Sequence, residues 1–65
     1  MKVYILEKEV IHEGSVIEQV YKDTPTVEKL LQQGFDEVQA IKLLDQGILS
    51  DGWITYYYLN EYEAI

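Results

Sequence analysis

Apolar and polar positions alternate along two early stretches, Val3–Ile11 and Val16–Tyr21, joined by His12-Glu13-Gly14-Ser15. Alternation marks half-buried strands, because successive side chains leave opposite faces of a pleated backbone. With Glu13-Gly14 as the turn, Ile11 lies opposite Val16, Val10 opposite Ile17 and Leu6 opposite Tyr21. One face of this predicted hairpin carries Tyr4, Leu6, Val10, Ile17 and Tyr21, broken only by Lys8 and Gln19. It has the character of a core wall. The other mixes Glu7, Glu9 and Glu18 with Val3, Ile5, Val16 and Val20, and sets Glu9 opposite Glu18.

The period changes after Asp23. Thr24 as N-cap with Pro25 at the first helical position predicts a helix start, since proline gives up only a donor that would be orphaned there. Val27, Leu30 and Leu31 share its apolar stripe, and Gly34 is placed to end it in a left-handed conformation. Asp36 and Gln39 then have the spacing of a capping box, with Phe35 placed to staple against Ala40. Ala40, Ile41, Leu43 and Leu44 form the next stripe, and Gly47 ends it. These punctuation marks predict two short helices, not one long one.

Asp51-Gly52, flanked by Ile48-Leu49-Ser50 and Trp53-Ile54-Thr55, predicts a hairpin turn. The closing run, Trp53–Glu63, is rich in β-formers. Its parity separates Ile54, Tyr56, Tyr58 and Tyr62 from Thr55, Tyr57, Leu59, Glu61 and Glu63. By character the first set matches the core wall and the second the acidic surface. The whole 65-residue chain is thus expected to form one α+β domain. Its antiparallel sheet has three main strands in the order ββααβ, with two short helices packed on one face.

Charge changes the picture most. Twelve acids stand against five lysines, with no arginine, for a net charge of −7. Direct nucleic-acid binding needs basic side chains at the phosphates, so it is not expected, and neither is adhesion to anionic membranes. No apolar run approaches the roughly 18 residues of a membrane span, and no leader pattern is seen, so a cytoplasmic location is expected. The chain has no cysteine and one histidine, His12, placed in a turn. No metal site, cofactor site or nucleophile–base pair can be assembled from these, and no enzyme is expected.

The candidate chemistry is therefore a binding surface. If the closing strand joins the hairpin with the expected parity, Glu7, Glu9, Glu18, Glu61 and Glu63 pool on one face beside Tyr57. Carboxylates at alternate strand positions stand about 6.6–6.8 Å apart. Such an array suits imitation of a phosphate ladder toward a protein with a basic groove. The apolar members of that face, Val3, Ile5, Val16, Val20 and Leu59, form a patch that a partner or a second copy of the chain would cover.

Lys2-Val3-Tyr4-Ile5-Leu6-Glu7, Val20-Tyr21 and the closing Tyr58-Leu59-Asn60-Glu61-Tyr62-Glu63 resemble a class of small acidic phage and bacterial proteins with a ββαβ plan. The resemblance implies an anti-defence inhibitor, including the anti-CRISPR kind, acting on a host nucleic-acid-handling enzyme as a DNA mimic. It carries no catalytic residues. The split helix and the Asp51-Gly52 hairpin depart from that plan. A small homodimeric structural or regulatory protein is the alternative. So is a protein-interaction module, because the two helices and the following hairpin also resemble a winged helix, with Glu37–Gln46 as the would-be recognition helix and Lys42 its only base.

Overall fold

The computed structural model describes residues 1–63. Strands β1 (Lys2–Val10) and β2 (Gly14–Tyr21) open the chain. Helices α1 (Val27–Gln32) and α2 (Glu37–Gln46) follow, then β3 (Ile48–Asp51) and β4 (Thr55–Glu63). The four strands form one antiparallel sheet in the order β2-β1-β4-β3. The expected α+β class holds, with the Ile48 segment adding a short fourth strand at one edge.

The loop joining β1 to β2 is longer than the expected two-residue turn. Val10 pairs with Gly14 and Tyr4 with Tyr21, so Ile11, His12 and Glu13 form the loop. His12 and Gly14 sit at positive φ, 70° and 94°. The second hairpin likewise turns through Gly52, Trp53 and Ile54, because Asp51 pairs with Thr55. Trp53, expected to begin the last strand, stands at the loop tip, 94% exposed.

A β-bulge interrupts the pairing of β1 with β2: Leu6 faces Gln19, but the next residue, Glu7, faces Ile17. Glu18 is the extra residue. A bulge reverses facing beyond it, so Ile17 leaves the expected core wall and Val16, opposite Lys8, crosses to the helix side. Glu9 consequently faces Ser15, and the Glu9–Glu18 opposition does not form.

The helices begin and end largely at the marked residues. Thr26, rather than Thr24, caps α1, its hydroxyl accepting from the Lys29 amide at 3.2 Å. At the end of α1, the amides of Gly34 and Phe35 return to the carbonyls of Leu31 and Leu30, with Gly34 at φ 108°. The Asp36 carboxylate accepts from the Gln39 amide at 2.8 Å, and the Gln39 side chain accepts from the Asp36 amide at 3.0 Å. That completes the capping box. Gly47 ends α2 at φ 75°, and its carbonyl accepts from the Leu59 amide at 2.9 Å, which ties the helix end to β4. A Cβ at Gly47 would stand 3.2 Å from the Leu59 carbonyl oxygen, so a side chain there would crowd the β4 backbone as well as strain a left-handed conformation.

Both helices lie on one face of the sheet. Leu6, Tyr21, Leu30, Ala40, Leu43 and Leu49 are buried there, with Tyr57, Leu59 and Phe35 packed against them. The Phe35 and Tyr57 rings meet edge to face, with centroids 4.8 Å apart. The outer side of α2, including Val38 and Ile41, is exposed. So small a core leaves the opposite sheet face bare.

Tyr21 carries a local fault. Its hydroxyl is buried without a hydrogen-bond partner among the described residues, and burial raises its pKa above the ordinary value. The neutral phenol is therefore favoured by folding. Its contribution to stability is complete below the unfolded pKa near 10 and is lost as pH rises through the folded one. Tyr21→Phe removes an unsatisfied hydroxyl and is expected to stabilise the fold by about 1 kcal/mol at pH 7. It is also expected to flatten the loss of stability above about pH 10. Urea midpoints at neutral and alkaline pH measure both, and a destabilised variant would contradict the assignment.

Candidate functional site, the open face of the sheet

Which side chains share the bare face follows from the pairing of the central strands. Leu6 lies opposite Leu59, and directly opposed residues of an antiparallel pair project to the same side. Leu6 is buried beneath the helices. Leu59 and Tyr57 therefore turn inward with it. Even positions of β1 share a face with odd positions of β4. The expected parity was the reverse.

The five glutamates are consequently divided. Glu7 and Glu9 project from the open face, opposite Tyr58 and Tyr56. Glu61 and Glu63 lie on the helix side, at the end of the sheet. There Glu61 accepts from the Lys2 ammonium at 2.9 Å, and Glu63 lies 3.4 Å from the chain's amino terminus. The hydrogen bond and charge of Glu61 hold the Lys2 ammonium above its usual pKa. Glu18, displaced by the bulge, lines a cleft of about 270 Å³ on the helix side with Lys8, Phe35, Asp51 and Tyr57. One continuous acidic ladder is not formed. Tyr57, expected beside it, packs against the core on the helix side and lies 6.0 Å beneath the Lys8 ammonium.

The apolar patch is redistributed in the same way. Val3, Ile5 and Val20 are on the open face as expected, while Val16 and Leu59 are on the other. Ile17 and Ile48 join them from β2 and β3, opposite Glu7 and Tyr58. Ile17 is 62% exposed, Val20 51% and Ile48 41%. Tyr56, Tyr58 and Tyr62, expected in the core, complete the surface.

Two of these tyrosines hold the carboxylates. The Tyr58 hydroxyl donates to Glu9 Oε1 at 3.1 Å, and the Tyr62 hydroxyl donates to Glu7 Oε1 at 3.4 Å. Partial burial and then the Glu9 bond raise the Tyr58 pKa. Each carboxylate keeps its Oε2 free of any side-chain bond among the described residues. Within the four strands the lysines, Lys2 and Lys8, both point to the helix side, so Glu7 and Glu9 are the open face's charges and nothing there neutralises them.

One signal of this arrangement was present in the sequence. Lys2 sits at an even position and Glu61 and Glu63 at odd ones, and opposite charges across strands favour shared facing. Among the described residues no three histidine, aspartate or glutamate side chains converge as metal ligands, and no helix is long and apolar enough to cross a membrane. No family model, curated protein or solved structure matches the chain.

Proposed function

We propose that the chain is a non-enzymatic binding protein that docks its open sheet face on the basic groove of a nucleic-acid-handling protein and occludes that groove. The observation carrying this is the pair Glu7 and Glu9, two unneutralised carboxylates in an apolar and tyrosine-rich surface. Aromatic residues with polar tips give large contact area at low entropic cost and are favoured at the centres of interfaces. Two carboxylates among them match a groove built for phosphates, and the net charge of −7 steers association toward it. Glu18, Glu61 and Glu63 have no part in this surface.

The test is reconstitution. The chain is used to capture its target from native host lysate at low and high salt, and the purified target is then assayed for nucleic-acid binding. Salt-sensitive capture and a target that loses nucleic acid when the chain is added are expected. A target that binds nucleic acid equally well with and without the chain would overturn the proposal.

A further inference from the structure

Apolar surface of this extent is normally covered in the working state of a protein. Covering this one carries a condition. Any partner that seats on Val3, Ile5, Ile17, Val20 and Ile48 also removes Glu7 and Glu9 from water. A carboxylate so buried without a cation is strongly unfavourable. The tyrosine hydroxyls at 3.1 and 3.4 Å satisfy one oxygen of each and supply no charge. A second copy of the chain fails the condition. Face to face, its strands would bring two more glutamates and no lysine, because Lys2 and Lys8 lie on the opposite side of the sheet.

Resting on the binding role proposed above, we infer that the apolar sheet face takes an extended partner segment bearing two arginines at alternate positions, one for Glu7 and one for Glu9. Spacing and chemistry select this occupant. Glu7 and Glu9 are two residues apart on one strand, which sets their side chains about 6.6–6.8 Å apart, the repeat of alternate residues in another extended chain. Arg-X-Arg matches that repeat, whereas arginines three apart leave opposite faces of their own strand. Guanidinium is more weakly hydrated than ammonium and stacks on aromatic rings, which the flanking Tyr56, Tyr58 and Tyr62 supply. Each guanidinium donates to the free carboxylate oxygen while the tyrosine hydroxyl keeps the other.

Three apolar-flanked peptides of equal net charge, containing Arg-X-Arg, Lys-X-Lys or Arg-X-X-Arg, separate the possibilities. Their affinities are read by fluorescence anisotropy and their sites by amide chemical shifts on the whole chain. The Arg-X-Arg peptide is expected to bind about tenfold more tightly than either alternative. Its shifts are expected at Glu7, Glu9, Tyr58 and Tyr62. Tyr58→Phe with Tyr62→Phe keeps the rings and is expected to reduce the preference, and circular dichroism establishes that the variant folds. Equal affinities for the three peptides would overturn the arginine spacing, as would shifts centred on Glu61 or on the Glu18 cleft. So would light scattering that gives a dimer. If reconstitution shows groove occlusion while the peptides bind alike, the binding role stands and the arginine inference alone falls.

Discussion

Leu6→Ala is expected to remove a large share of the fold's stability and to lower its urea midpoint steeply. Leu6 is 1% exposed, sits on a central strand and faces Leu59 beneath the helices. Truncating a buried leucine removes transfer energy and leaves a cavity, together about 2–5 kcal/mol. A domain of this length holds only roughly 3–10 kcal/mol in all, at about 0.05–0.15 kcal/mol per residue. The core has few other members to absorb the loss. Urea denaturation followed by circular dichroism measures it, and a midpoint within error of the parent would show that the sheet is held by something other than this core.

The second large effect is on binding. Replacing Glu7 and Glu9 with glutamine keeps the size of both side chains and their bonds from the tyrosines, and removes both charges. Truncating one partner of a desolvated charge pair costs about 2–5 kcal/mol. The double variant is therefore expected to lose at least about 100-fold in affinity for its target. It should also lose much of the salt dependence, since the charges that respond to screening are gone. Stability should change little, because both side chains are only half-buried. Titration calorimetry against the captured target, with parallel urea curves, separates binding from folding.

How much of this was legible in the sequence depends on the range of the interaction. Local devices read well. The capping box at Asp36 and Gln39 and the left-handed glycines at 34 and 47 are set by residues a few positions apart, and they form as expected. Thr26 stands as the first cap in place of Thr24, a choice between two acceptable hydroxyls two residues apart. Longer-range geometry read poorly. The bulge at Glu18 has no glycine to announce it, yet one extra residue exchanges Ile17 and Val16 between faces. The register of β1 against β4 joins residues 45 to 61 positions apart, and a shift of one reverses every side chain. Polarity pointed the wrong way in Trp53–Glu63, because the even positions hold Ile54 and three tyrosines with Asn60 as their one polar amide, while half of the odd positions are polar. The choice fell to Leu59, which packs with Leu6, and to the Lys2–Glu61 pair. The tyrosines that line the open face thus read as core, and Tyr57, which packs against the core, reads as surface.

A binding surface made of Glu7 and Glu9, distinct from Glu61 and Glu63, is tested most directly by comparing two double variants that remove the same amount of charge. Target affinity is measured for Glu7→Gln with Glu9→Gln and for Glu61→Gln with Glu63→Gln, in the same buffer at the same ionic strength. The first pair should lose at least about 100-fold in affinity, and the second should weaken it only a few-fold through the altered net charge. Equal losses from the two pairs, or a greater loss from the second, would contradict the placement of function on the open face.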